Sequence, residues 1–126
     1  MLKVFPLFSG STGNCTYVKY GDDELLIDAG VSCKNIDLAL QKLGTDLSRI
    51  KAILVTHEHT DHVKGLDTLC KKCNIPIYIN KASFDTITSC FAQNCIIKND
   101  GDGLFIESIS DEGIFIRGII VRIEFV

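Results

Sequence analysis

Ala52-Ile53-Leu54-Val55, followed at once by Thr56-His57-Glu58-His59-Thr60-Asp61-His62, is the stretch on which the fold turns. Four apolar residues predict a buried strand, and the polar run begins where that strand must end. All three histidines of the protein fall in this run. Neutral imidazole suits zinc, manganese or iron, and Asp offers a hard oxygen to the same ions. Alternate residues of an extended chain point the same way, so His57 and His59 can grip one ion. Asp61 and His62 fall where the chain turns into a helix and can hold a second ion beside it. The other common histidine motif, His-Glu-x-x-His, is excluded because position 61 is Asp. A polar loop that happens to be His-rich is the plainer alternative. It suits a lone His better than three with an Asp inside six residues.

Working outward, the preceding segments read as a meander. Leu2 to Phe8, Cys15 to Tyr20 and Glu24 to Asp28 are expected strands, with a hairpin turn at Gly21-Asp22-Asp23. The continuous run Leu25-Leu26-Ile27 predicts burial on both faces. Asp28, at its end, needs a partner: it either orients a metal ligand or caps the next turn. The loop Ser9, Gly10, Ser11, Thr12, Gly13 and Asn14 is built of small residues. It could present backbone N–H groups to a phosphate or other anion, or be a tight connection between strands.

Ser32 is the expected N-cap of a helix with an inward stripe of Ile36, Ala39, Leu40 and Leu43, stopped at Gly44. Beyond the strand Lys51 to Val55, a helix is expected over 63–73, a strand at 76–79, and a third helix capped by Asn80 with Phe84, Ile87 and Phe91 inward. Ile96-Ile97 opens another strand, and Leu104 to Ile109 with Ile114 to Phe125 reads as a hairpin. Strands, then alternating helix and strand, then strands again predict an α/β (α+β) chain with a mixed sheet.

With 126 residues, one domain covering 1–126 is expected. No stretch is long and apolar enough for a membrane span, and Met1 to Pro6 lacks a signal-peptide pattern, so the cytoplasm is the default compartment. The six cysteines then read as free thiols. Cys70 and Cys73 fall at helical spacing with Val63, Leu66 and Leu69, which makes them core residues rather than zinc ligands. A net charge of −3 gives no basic nucleic-acid footprint.

The pattern His-x-His-x-Asp-His resembles the signature of the metallo-β-lactamase superfamily. The stretches Ser9–Thr16, Leu25–Gly30, Ile53–His62, Gly65-Leu66 and Asn74–Tyr78 resemble its YycJ/WalJ-type branch, associated with 5′→3′ exonuclease activity on DNA. The resemblance implies an αβ/βα sandwich with a dinuclear site at the edge of its sheets. It implies two divalent ions, zinc or manganese with iron an option: His57 and His59 on the first, Asp61 and His62 on the second, and Asp28 behind them. The implied chemistry is hydrolysis by a metal-activated water, with Asp61 holding that water or taking its proton.

The family's further His and Asp ligands have no counterpart after His62, since no His follows it. Asp85, Asp100, Asp102, Asp111 and Glu112 are carboxylates of that region, and no spacing singles one out. A truncated or frameshifted half-sandwich is therefore expected, with an exposed apolar face and self-association to cover it. A phosphodiesterase or DNA exonuclease is the leading functional expectation. A catalytically inert metal-binding or interaction fragment is the alternative reading, and β-lactam or thioester the alternative substrates.

Overall fold

A single row of side chains shows how the chain is assembled. Phe5, Tyr17, Leu26, Ile53, Ile77 and Cys95 pair successively across six strands. In this computed structural model, the described residues are 2–56, 59–80, 84–85, 95–98, 105–110, 113–117 and 121–124. The strands carrying the row are β1 (Leu2–Phe8), β2 (Cys15–Tyr20), β3 (Asp23–Ile27), β4 (Ile50–Leu54), β5 (Ile77–Asn80) and β6 (Cys95–Lys98), in that order across the sheet. β1, β2 and β3 pair antiparallel, whereas β3 through β6 run parallel. The mixed sheet and its opening meander are as the sequence predicts.

Tyr17, Leu26, Ile53 and Ile77 are buried on one face against helix α1 (Cys33–Lys42) and helix α3 (Leu66–Lys72), which contribute Cys33, Ile36, Leu40, Leu66 and Leu69. Val18, Leu25, Ala52 and Leu54 alternate onto the other face and are buried too. The expectation of an exposed apolar face therefore fails over these central strands. Among the described residues, exposure of large apolar side chains on the sheet falls on edge strand β1, at Val4 and Phe5.

Several boundaries differ from the sequence reading for identifiable reasons. Ser32 caps α1 by accepting the Asn35 N–H at 3.2 Å, as expected. Leu43 does not join the inward stripe: the helix ends at Lys42, Gly44 turns left-handed at φ 82°, and Leu43 is left 41% exposed. Cys33 fills the stripe instead. The segment between α1 and β4 holds a 3-10 turn at Leu47–Arg49, capped by Asp46. The helix expected over 63–73 starts earlier and is split into α2 (Thr60–Val63) and α3. Gly65 lies at the break because its N–H donates to Ala29 O at 2.8 Å, an acceptor on another loop. Cys70 and Cys73 are half-buried, packed against the core without being inside it.

Phe84 is half-buried against the core, but most of the expected third helix, including Ile87 and Phe91, lies outside the described residues. So do Cys90 and the carboxylates Asp100, Asp102, Asp111 and Glu112. The expected terminal hairpin is instead a three-stranded antiparallel sheet of β7 (Phe105–Ser110), β8 (Gly113–Arg117) and β9 (Val121–Glu124). No described helix is long and apolar enough to cross a membrane.

Candidate metal centre

β1 runs in the same direction as β3 and β4, so the loops leaving all three strands emerge at one edge of the sheet. The carboxyl ends of parallel strands are where open α/β sheets place their ligand sites. Here that edge gathers Asn14, Asp28, Thr56, Asp61 and His62.

Asp28 is the hub. Its carboxylate is buried, 4% exposed, and accepts the Thr56 N–H at 2.8 Å and the Thr56 hydroxyl at 2.7 Å. Its Oδ2 also lies 2.6 Å from His62 Nδ1. A carboxylate oxygen accepts, so Nδ1 carries the proton of this bond. Nε2 lies 3.5 Å from Asp61 Oδ2. An imidazole nitrogen and a carboxylate oxygen thus face each other, a donor set suited to a divalent ion of the zinc, manganese or iron type. Asp28 thus holds the His62 ring and ties down the turn after β4, a different turn from the one that the sequence suggested. It does so from the left-handed region, at φ 63°, a conformation that a non-glycine residue adopts at a cost.

The loops interlock through their backbones. Asn14 N–H donates to Asp61 O at 2.7 Å, Gly30 N–H to Asn14 O at 2.8 Å, and Ala29 N–H to His62 O at 2.8 Å. This approach needs bare backbone. A Cβ on Gly30 would sit 1.7 Å from Asp61 O, and one on Gly65 would sit 2.2 Å from Val31 O.

The Ser9–Asn14 loop reaches the same edge through its last residue. Asn14 Nδ2 is 3.1 Å from Asp61 Oδ2 and 3.3 Å from His62 Nε2. The loop also closes on itself: Gly10 N–H donates to Asn14 Oδ1 at 3.2 Å, and Asn14 Nδ2 donates to Gly10 O at 2.9 Å. Gly10 N–H is therefore engaged within the loop. Ser9, Gly10 and Ser11 are exposed, and Gly13 is buried.

His59 precedes α2, where its carbonyl accepts the His62 N–H at 2.8 Å. His57 and Glu58 lie outside the described residues. Thr56 is the partner that the sequence reading did not single out, although it stands at the head of the motif. Cys15 is also close by: burial, reinforced by the negative charge of Asp28, pushes its thiol up to about 12. It packs in the core as a buried thiol.

At the opposite end of β3, Glu24 is a second buried carboxylate, missed in the sequence. Its Oε1 accepts the hydroxyls of Tyr17 and Thr45, each at 2.5 Å, and Arg49 lies 3.9 Å from Oε2. It is satisfied by these partners and fastens the segment after α1 to the sheet.

Comparison with known proteins agrees with this architecture. The profile of the metallo-beta-lactamase superfamily matches residues 9–119. Exodeoxyribonuclease YycJ of Bacillus anthracis is 37% identical over 105 residues, which make up 83% of this chain and 38% of that protein. Exodeoxyribonuclease WalJ of Streptococcus pneumoniae is 37% identical over 81 residues, 64% of this chain and 30% of that protein. The chain therefore spans well under half the length of the curated relatives it matches. A solved structure described as TTHA1623 in a di-iron-bound form superposes with a TM-score of 0.55 at 29% identity, covering 64% of this chain and 40% of the other. On the superfamily match along most of its length, together with the mixed sheet that bears the Asp28–His62–Asp61 cluster on its edge, this chain belongs to the metallo-β-lactamase superfamily.

Proposed function

We propose that the chain carries ligands of a dinuclear metal centre that hydrolyses phosphodiesters, as part of an exonuclease acting on DNA. The observation that carries this reading is the Asp28–His62–Asp61 arrangement. A buried carboxylate holds Nδ1, so that Nε2 faces the Asp61 carboxylate at 3.5 Å. In this reading Asp61 and His62 hold one ion, and His57 and His59 hold the other. When bound, such ions would supply Lewis acidity and a water acidic enough to be deprotonated near neutral pH.

The chain's own residues do the rest. Asp28 fixes the tautomer and the ring plane of His62, and Thr56 fixes Asp28 through two donors. Asp61 Oδ2 is held by Asn14 Nδ2 and is available to accept a proton from a nucleophilic water. Support for a DNA substrate comes from the YycJ and WalJ relatives, and the coverage of a third of their length leaves the β-lactam and thioester alternatives to the assay. Among the described residues, which leave out His57, no group of three or more His, Cys, Asp or Glu side chains is placed to hold one ion, and an inert metal-binding or interaction fragment is the competing reading.

The test is metal content and nuclease activity of the 126-residue chain beside its His62→Ala variant. Bound zinc or manganese that falls by at least one equivalent in the variant, with 5′-end degradation of DNA lost in parallel, is the expected result. Metal content unchanged by His62→Ala would refute the assignment. Metal bound without activity on DNA would favour the inert fragment.

A further inference from the structure

Cys33 and Cys73 are far apart in sequence yet line one cavity of about 630 Å³, with Asp37, Leu47, Ser48 and Lys72 also on its walls. None of the lining residues belongs to the metal edge, and the proposed hydrolysis uses neither thiol. Cys33 is the first residue of α1 and is buried in the core. Cys73 caps the C-terminal end of α3, where the backbone turns extended at φ −133° and ψ 128°, and its side chain is half-buried. α1 and α3 pack against each other, so the start of one helix and the end of the other share this cavity.

The charges around Cys33 agree with this proximity. Burial raises the Cys33 thiol above its ordinary value, the Lys72 ammonium opposes that rise, and negative charge on Cys73 or Asp37 adds to it. Cys33 therefore lies within electrostatic reach of Cys73. Cys70, three residues earlier on α3, makes its charge felt at Cys95 instead. The two thiols of α3 thus address different partners. A lysine beside a dithiol favours the thiolate, which is the form that disulfide exchange requires.

We propose that Cys33 and Cys73 form a dithiol that closes to an intramolecular disulfide by exchange with a small-molecule disulfide, joining the start of α1 to the end of α3. The half-buried Cys73 is the sulfur that such a reagent reaches first. Its thiolate attacks one sulfur of the reagent, expels half of it as a thiolate and leaves a mixed disulfide on Cys73. Cys33, deprotonated, then attacks the Cys73 sulfur and expels the other half. The protein gives up two electrons and two protons, and the reagent leaves as two thiols. The closed ring runs from residue 33 to residue 73 and holds β4, Thr56, Asp61 and His62, whereas Asn14 and Asp28 stay outside it. Such a bond restricts the unfolded chain far more than the folded one, so oxidation stabilises the fold.

The test is incubation of the full chain, folded and in concentrated urea, with bis(2-hydroxyethyl) disulfide, followed by acid quenching and tryptic mass mapping. Cleavage after lysine puts Cys33 in segment 20–34 and Cys73 in segment 73–81, each with no other cysteine. In the monomer fraction of the folded chain, the 20–34/73–81 cross-link should outnumber every other cross-link, and this preference should vanish in urea. Urea titration should give a higher midpoint for the oxidised chain, restored to the reduced value by dithiothreitol. The midpoint of Cys73→Ser should not respond to the reagent, and Cys33→Ser serves if that variant is unfolded by circular dichroism. A folded chain that stops at mixed disulfides, or that links Cys70 to Cys95 without linking Cys33 to Cys73, overturns the proposal. So does a 20–34/73–81 cross-link confined to dimers, or one that lowers the midpoint, because the helices would then have to be forced together.

Discussion

Gly30→Ala separates packing from backbone strain at the edge where the loops interlock. Gly30 does not have a positive φ, so the methyl group itself is the whole perturbation. That carbon would lie 1.7 Å from Asp61 O, 2.4 Å from Asp61 C and 2.7 Å from Asn14 N. All three are backbone atoms, so relief requires the loops to part. The bonds at risk are Asn14 N–H to Asp61 O, Gly30 N–H to Asn14 O and Ala29 N–H to His62 O, at 2.7, 2.8 and 2.8 Å. At roughly 0.5–1.5 kcal/mol net for each, losing two or three costs about 1–4 kcal/mol. The control is Gly44→Ala, where nothing lies within 4 Å but φ is +82°. Its cost is the left-handed term alone, about 1 kcal/mol. Urea titration followed by circular dichroism gives both values. Hydrogen exchange should show faster exchange at Asn14, Ala29 and Gly30 in Gly30→Ala and unaltered exchange there in Gly44→Ala. Equal stability losses with unaltered exchange at those three amides would refute the interlocked-loop account.

Two further outcomes are expected. Asp28→Ala removes the acceptor of the Thr56 N–H and hydroxyl and of His62 Nδ1–H, costing about 2–4 kcal/mol in urea titration. Asp28→Gly, which sheds the strain of φ 63°, should lose about 1 kcal/mol less, and the reverse order would contradict that strain. Alkaline pH should weaken the fold, because burial raises Cys15 from 9.0 to about 12 and Cys95 from 9.0 to about 11. Their protonated forms are retained on folding, so this contribution is full below pH 9 and is lost as pH rises through the folded values. A urea midpoint that stays flat from pH 8 to 11, or falls just as steeply in Cys15→Ala, would count against it.

The motif at 56–62 and the alternation of the flanking strands were legible because both are local patterns. Leu25-Leu26-Ile27 reads as a strand buried on both faces and is one, because a continuous apolar run admits little else. The pairing of Asp28 with His62 was foreshadowed by the awkwardness of a carboxylate at the end of such a strand and by the family resemblance, which places Asp28 behind the histidines. What stayed hidden depends on contacts between distant segments. The break at Gly65 exists because Ala29 O draws its N–H out of the helix, and no helical period records that acceptor. Glu24 gave no signal, since alternation in a short strand does not distinguish a buried Glu with hydroxyl partners from an exposed one. Leu43 was misplaced because a stripe continues on paper past the residue where Gly44 turns the chain.

The bonds that fix the metal edge join residues far apart along the chain: 34 between Asp28 and His62, 28 between Asp28 and Thr56, and 47 between Asn14 and Asp61. None can form within the histidine stretch alone. Their geometry exists only once β3 and β4 have paired and the opening hairpin has docked, events that carry the largest loop-closure cost. A chain still folding would thus display its histidines without the partners that aim them. Under the proposed function, metal capture would be a property of the finished topology and not of the histidine stretch alone.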